Sequence, residues 1–367
     1  MPGPVLGPQG ASTTMTPLAK DCDVGHKIAP PKLPLASADI QPSASSVANP
    51  LSSLAIPLGI AGLGGLWQVM RTALSAPPWP AEMFFAISTT LWLVLTAAYL
   101  AGGIRHPGSF SMDREHAVYG PFVAYLPVIG ILLSAHYVQY IHNVGRIAVV
   151  LFVVALGIQA AQLLAYWLRG HLPSQTFHPG YLLPTVAGPF IASIGLSTCG
   201  WHQAARSALG IGVFFWFVIG SLIFSRLFAG PRLPEALRPS LSLLVSPPAT
   251  AGLAWLLISN GEMGSVGYGL LGILFLMLFV QVLFLPDFRF LSFSTNFWAF
   301  TFPVAASASF VVRWLSSVQF PYWRVWCWCV AGFATAVIVA IAGATLRDIS
   351  GKHARASRAL SLNQTIR

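Results

Sequence analysis

The chain has 367 residues, of which 55% are hydrophobic and only 8% are charged. A soluble globular domain carries about 25% charged residues, so this composition argues against a soluble enzyme and a disordered chain. It also argues against nucleic acid as a partner, although the net charge is +10. A membrane barrel would show short alternating segments, whereas this chain has long apolar runs. The composition therefore predicts an all-α integral membrane protein that crosses the bilayer several times.

The first 50 residues contain many Pro, Ser, Ala and Gly residues and no aromatic residue. Such a segment lacks the apolar surface needed for a core, so it predicts a disordered cytoplasmic tail. Residues 347–367 are basic and predict a second cytoplasmic tail. Residues 51–346 then form the membrane domain.

Ten stretches of that domain contain no Asp, Glu, Lys or Arg and are about as long as the 20 residues that a helix needs to cross a bilayer. They are residues 51–70, 83–100, 121–140, 147–168, 180–200, 207–225, 240–259, 266–285, 293–312 and 325–346. The short connections between them predict antiparallel hairpins.

The distribution of basic residues predicts the orientation of these ten spans. The two tails and the loops after even-numbered spans hold 15 Lys and Arg, against five in the loops after odd-numbered spans. Basic residues accumulate on the cytoplasmic side of membrane proteins. We therefore expect a multi-pass protein of the plasma (inner) membrane, with both termini in the cytoplasm.

Prolines separate the ten stretches into two sets. Every odd stretch contains proline and no even stretch does. A proline kinks a helix and leaves carbonyls unpaired, which a bilayer tolerates only beside protein or a water-filled cavity. The alternation predicts five helical hairpins around a central pore, with kinked odd-numbered helices inside. The odd-span prolines are Pro57, Pro121, Pro127, Pro184, Pro189, Pro247, Pro248 and Pro303.

The first stretch also contains glycines at positions 59, 62, 64 and 65. Two interpretations stay open here. Small residues permit close packing of helices, and they also leave room for a pore.

Four stretches resemble the tellurite-resistance/dicarboxylate transporter (TDT) family, which includes bacterial TehA and the plant slow anion channels. They are residues 50–64 (PLSSLAIPLGIAGLG), 180–187 (GYLLPTVA), 237–241 (LRPSL) with Pro247, and 293–303 (FSTNFWAFTFP). The resemblance implies a homotrimer with one pore in each subunit. It also implies that Phe302, directly before Pro303, plugs the pore.

The sequence departs from the bacterial pattern at two places. Gly188 and Pro189 stand where the tellurite-resistance protein has two Asn residues, and about Gly220 stands where it has an acidic residue. These departures leave the identity of the transported ion open.

The absence of acidic residues from the ten stretches favours an anion pathway over a proton relay or a cation filter. Hydroxyl groups on odd spans then become candidate anion contacts, with hydrogen bonds to their own helix as the alternative. Those hydroxyls belong to Ser52, Ser53, Thr185, Ser193, Ser246, Thr250, Thr301 and Ser307. The residues expected to line the pore are Pro57, Gly59, Gly62, Pro127, Pro184, Thr185, Pro189, Ser246, Pro247, Thr250, Thr301 and Pro303.

The leading hypothesis is a passive channel for small anions such as chloride, nitrate or sulfite. The alternative is a secondary transporter for C4-dicarboxylates such as malate, or for efflux of sulfite or tellurite. An enzyme is not expected, because no acid–base set is apparent. No cofactor or metal is expected. His136, within the third stretch, has no identifiable partner and is interpreted as a buried neutral side chain.

Overall fold

The computed structural model describes residue 3, residues 50–170, residue 172 and residues 174–365. The chain divides into two units, Met1–Val47 and Ala48–Arg367, and the fold below is that of the second unit. The tail predicted for residues 1–50 lies outside the described residues, except for its positions 3 and 50. Helices account for nearly all of the described residues, and none of these residues forms a strand. The all-α prediction is confirmed.

Ten segments are long and apolar enough to cross a membrane, and each overlaps one of the ten predicted stretches. We refer to them as spans 1 to 10. They are Leu51–Leu74, Trp79–Arg105, Gly120–Tyr137, His142–Leu168, Pro179–Thr198, His202–Ala229, Glu235–Ile258, Gly264–Arg289, Thr295–Val318 and Trp323–Lys352.

Each span contains one long regular α-helix. We number these helices α1 to α10, so that each has the number of its span. They are α1 (Ala55–Leu74), α2 (Trp79–Arg105), α3 (Tyr125–Tyr137), α4 (His142–Leu168), α5 (Gly188–Thr198), α6 (His202–Ala229), α7 (Ser246–Ile258), α8 (Gly264–Arg289), α9 (Thr301–Val318) and α10 (Trp323–Thr365). Because α10 continues to Thr365, most of the predicted C-terminal tail is helical.

Each odd span begins with a short separate segment before its regular helix, and in spans 3, 5, 7 and 9 this segment has 3₁₀ or π geometry. These segments are the short helix Pro50–Ser53, the 3₁₀ helix Gly120–Ala124, the 3₁₀ turn Pro179–Tyr181 with the π-helix Leu183–Ala187, and the 3₁₀ helices Glu235–Val245 and Thr295–Phe300. A proline occupies the second or third position of every odd-numbered α-helix. Proline is tolerated there because the first amides of an α-helix have no partner within that helix.

Burial divides the spans as the prolines do. In the most hydrophobic part of each odd span, between 61% and 94% of the residues are buried, against 11% to 28% in the even spans. The odd helices are therefore inside the bundle and the even helices are outside.

The contacts between helices form a closed ring. α1 packs against α3, α3 against α5, α5 against α7, α7 against α9, and α9 against α1. Each even helix packs against the odd helix before it and against the next odd helix around the ring. Five two-helix hairpins therefore surround one central axis, and each outer helix covers the seam between two inner helices.

Two predictions about the spans need correction, because the helices extend beyond the charge-free stretches. Glu82 lies in the first turn of α2, and Arg313 lies inside α9. The even helices also contain proline near their ends, at Pro80 in α2 and Pro286 in α8. The predicted alternation of proline holds only for the central parts of the spans.

Candidate functional site

Phe302 is the second residue of α9, directly after the change from 3₁₀ to α geometry, and its exposed fraction is 7%. Its ring lies against α1 at Gly62. A Cβ atom added to Gly62 would lie 3.0 Å from Cδ2 of Phe302 and 3.2 Å from Cβ of Ala305. The position of the Phe302 ring therefore depends on a glycine in the neighbouring inner helix.

The four glycines of α1 have different surroundings. These surroundings distinguish between the two interpretations of the glycines, close helix packing and room for a pore. A Cβ at Gly59 would overlap the side chain of Thr301, and one at Gly64 would lie 2.9 Å from the ring of Phe85. Gly65, by contrast, has no other atom within 4 Å of the added position. Three of the four glycines permit close helix packing, and the fourth faces open space.

The contacts of α9 define the direction in which Phe302 projects. Thr301 and Ala305 face α1, whereas Phe310 packs on Gly252 of α7. At about 100° of rotation per residue, Ala305 lies about 60° to one side of Phe302 and Phe310 about 80° to the other. Phe302 therefore lies within the smaller arc between the two ring neighbours of α9, and in a closed ring this arc faces the central axis.

Four of the candidate hydroxyls donate hydrogen bonds to carbonyls of their own span. The donors and acceptors are Thr185 to Tyr181 (3.3 Å), Thr250 to Ser246 (2.8 Å), Thr301 to Trp298 (2.7 Å) and Ser307 to Pro303 (2.7 Å). For these four hydroxyls, the structure therefore shows the alternative interpretation, which is a hydrogen bond to the residue's own helix.

Two other candidates, Ser193 and Ser246, are buried, and their hydroxyls have no hydrogen-bond partner within the described part of the chain. Ser246 begins α7. On the opposite side of α7, Trp255 donates from its indole to the carbonyl of Met263, just before outer helix α8, at 2.9 Å. Because Ser246 and Trp255 lie nine residues apart, about 180° around the helix, Ser246 faces away from the outer layer. Its unpaired hydroxyl therefore lies on the inner side of α7.

The expectation that His136 lacks a partner is wrong. Its Nε2 lies 3.0 Å from Oε2 of Glu82, and Tyr140 donates a hydrogen bond of 2.6 Å to the other carboxylate oxygen. Phe85 stacks on the imidazole with ring centroids 3.8 Å apart. Sequence reasoning missed this pair because the predicted second stretch began at residue 83, one position after Glu82.

Two groups just outside the spans have shifted pKa values. The hydrogen bond to Glu82 raises the pKa of Tyr140. Burial lowers the pKa of His178 to about 4, so this imidazole is neutral at physiological pH. Its Nδ1 accepts the amide hydrogen of Gly180 at 3.1 Å and thereby caps the 3₁₀ turn that begins span 5.

The two departures from the bacterial pattern occupy different layers of the bundle. Pro189 lies in the first turn of inner helix α5, where it is buried. Gly220 lies on outer helix α6 and lines a small cavity with Leu182, Trp216 and Leu244. The surroundings of Gly220 are thus apolar.

A ring of five inner helices, each preceded by a break and each covered by an outer helix, defines a helical membrane protein built around one central axis. The sequence comparisons agree with that class. Residues 50–346 match the family model described as SLAC1, voltage-dependent anion channel. The chain therefore belongs to this family, and the resemblance noted from its motifs is confirmed.

Individual relatives include plant and bacterial proteins. The S-type anion channel SLAH3 of Arabidopsis thaliana is 24% identical over 317 residues, which cover 81% of this chain and 48% of SLAH3. The tellurite resistance protein TehA homolog of Haemophilus influenzae is 23% identical over 264 residues, which cover 71% of this chain and 79% of the homolog. The chain thus spans about half the length of the plant relative.

Proposed function

We propose that this protein conducts small anions of the chloride, nitrate and sulfite class passively along the axis of the inner ring, and that Phe302 closes the pathway. The observation that carries the proposal is the direction of the Phe302 side chain, within the arc of α9 that faces the axis. Membership of a family described as anion channels supports the choice of ion. That membership also supports a transport role over an enzymatic one.

The proposed gate acts through bulk and water exclusion. An aromatic ring in a narrow apolar lumen displaces water, and an ion must lose hydration to pass. Ser246, whose helix runs parallel to α9, supplies a hydroxyl that can donate to an anion near the gate. The nearby amide ends of inner helices add a modest preference for negative charge.

We further infer a homotrimer with one pathway in each subunit, located in the plasma (inner) membrane, with both termini in the cytoplasm. The trimer and its single pore per subunit follow from the family resemblance. The orientation follows from the excess of basic residues in the tails and in the loops after even spans.

Reversal potentials in planar bilayers under a potassium chloride gradient test the ion preference. We expect a potential near the chloride equilibrium value. A value near the potassium equilibrium potential would reject anion conduction.

The gate is tested by Phe302→Ala with Phe300→Ala as its matched control. Phe302→Ala removes the ring but keeps the break before Pro303, so basal anion current should rise strongly. Phe300 packs on Phe288 with ring centroids 5.0 Å apart, and its truncation should cost packing without opening the pathway. If intact Phe302→Ala protein conducts no more than wild type, Phe302 is a packing residue.

The alternative is a secondary transporter for malate-like dicarboxylates, or for efflux of sulfite or tellurite. The bacterial relative's description as a tellurite resistance protein favours keeping this candidate. Flux through a coupled transporter would depend on a proton or sodium gradient, whereas passive conduction would follow the anion gradient alone.

A further inference from the structure

Arg313 is a cation on an inner helix for which the fold provides no counter-charge. It lies in α9 and is half-buried. The ion pairs within the described part of the chain are His136–Glu82, Arg238–Glu235 and Lys352–Asp348. The guanidinium of Arg313 also has no hydrogen bond to any described residue. The one side-chain hydrogen bond that involves Arg313 is donated by the Ser316 hydroxyl to its backbone carbonyl.

The helix geometry places Arg313 on the same face of α9 as Phe302. The two residues are about three helical turns apart, which gives about 20° of rotation and about 16.5 Å along the axis. Arg313 therefore lies in the same arc between α1 and α7. The next residue confirms this rotation, because Trp314 packs outward on Phe275 of outer helix α8, with ring centroids 5.9 Å apart.

At this end of the bundle, Arg71 on inner helix α1 interacts with Tyr140 and Glu82, and the basic residues other than Arg71 and Arg313 lie on outer helices. Arg146 in α4 donates to the carbonyl of Cys199 and stacks over the ring of Trp201. Arg324 in α10 lies over the ring of Trp323, at 5.5 Å from its centroid. Arg313 differs from both because it is on an inner helix and its charge is uncompensated.

We propose that the guanidinium of Arg313 is an anion-binding site inside the pathway, at the end of α9 that is remote from Phe302. This inference rests on the proposed anion conduction and adds a residue that concentrates a small halide or oxyanion before it reaches the gate. A half-buried, unpaired cation is costly for the fold, and a passing anion supplies the missing counter-charge. Guanidinium remains charged at every physiological pH.

The effect of this charge follows from Coulomb's law. A unit charge about 5 Å from an anion in water raises the local anion concentration about threefold at 0.01 M salt, where the screening length is about 30 Å. At 1 M salt the screening length is about 3 Å, and the enrichment falls to less than about 1.5-fold. Arg313 should therefore raise anion conductance at low salt and have little influence at high salt.

The experiment measures single-channel chloride conductance in the Phe302→Ala background at 0.01 M and 1 M salt. Arg313→Gln should reduce conductance about threefold at the low concentration and change it little at the high one. Arg313→Lys keeps the charge and should conduct as the parent does. Arg324→Gln removes a cation at the same membrane face on an outer helix, and it should have no effect.

Size-exclusion profiles establish that each variant is intact. The site is refuted if intact Arg313→Gln conducts like its parent at 0.01 M salt. It is also refuted if the variant loses the same fraction of conductance at 1 M salt as at 0.01 M salt. Neither outcome affects the proposed anion conduction. If the parent itself passes cations in place of anions, the proposed function fails.

Discussion

The four glycines of α1 permit a graded test of how closely the inner helices approach each other. Gly65→Ala places its methyl group in open space, whereas Gly59→Ala places it on the side chain of Thr301. Gly62→Ala is intermediate, since its methyl group would lie 3.0 Å from the Phe302 ring. The same substitution is thus made at three levels of crowding within two turns of one helix.

Two opposing energies determine the outcome. Replacing glycine by alanine inside a helix stabilises it by about 0.5–1 kcal/mol, because glycine loses more conformational freedom on folding. Adding a methyl group to a packed contact costs about 1–3 kcal/mol. We therefore expect Gly65→Ala to be slightly more stable than wild type and Gly59→Ala to be less stable. Their free energies of unfolding should differ by about 2–4 kcal/mol.

The assay heats purified protein and measures the intact fraction by size-exclusion chromatography. Survival should decrease in the order Gly65→Ala, wild type, Gly62→Ala, Gly59→Ala. Gly64→Ala, which crowds Phe85 of α2, is a control that loses stability without touching the gate. Equal survival of Gly59→Ala and Gly65→Ala would refute the packing of α1 against α9.

Three further predictions concern other parts of the molecule. Cysteine labelling of either tail should succeed only from the cytoplasmic side; ready labelling from outside intact cells would reject the orientation. Ser246→Ala should lower anion conductance with little change in stability, whereas Ser307→Ala, whose hydroxyl bonds its own helix, should leave conductance unchanged. Because burial lowers the pKa of His178 to about 4, against about 6.5 in the unfolded chain, the unfolded state binds more protons between these values. Thermal stability should therefore fall as pH drops through this range, and His178→Asn should reduce that fall.

The sequence alone determined the class of protein and the division of its helices. Charge-free stretches must be helical in a bilayer, since every backbone amide and carbonyl needs a partner there. The prolines could be interpreted from the sequence because the effect of proline on the backbone is local and depends on no distant contact. A bilayer tolerates that effect only inside the bundle, so proline indicates the inner spans. The ten spans, and a break in the helix beside Pro57, Pro127, Pro189, Pro247 and Pro303, could therefore be anticipated from composition and spacing.

Only the tertiary structure decided which side chains face the axis and which have partners. The hydrophobic periodicity of an inner helix does not indicate which of its faces points to the axis, because apolar residues occur on all of its faces. Glu82 and His136 lie on neighbouring helices, so no local pattern could pair them. Arg313 follows directly after a charge-free stretch, so the sequence alone assigns it to the loop after that stretch. In the structure α9 continues past Arg313, which lies about three turns from Phe302 on the same helix. Such facts depend on the rotation of each helix, which packing between distant segments fixes and local sequence does not.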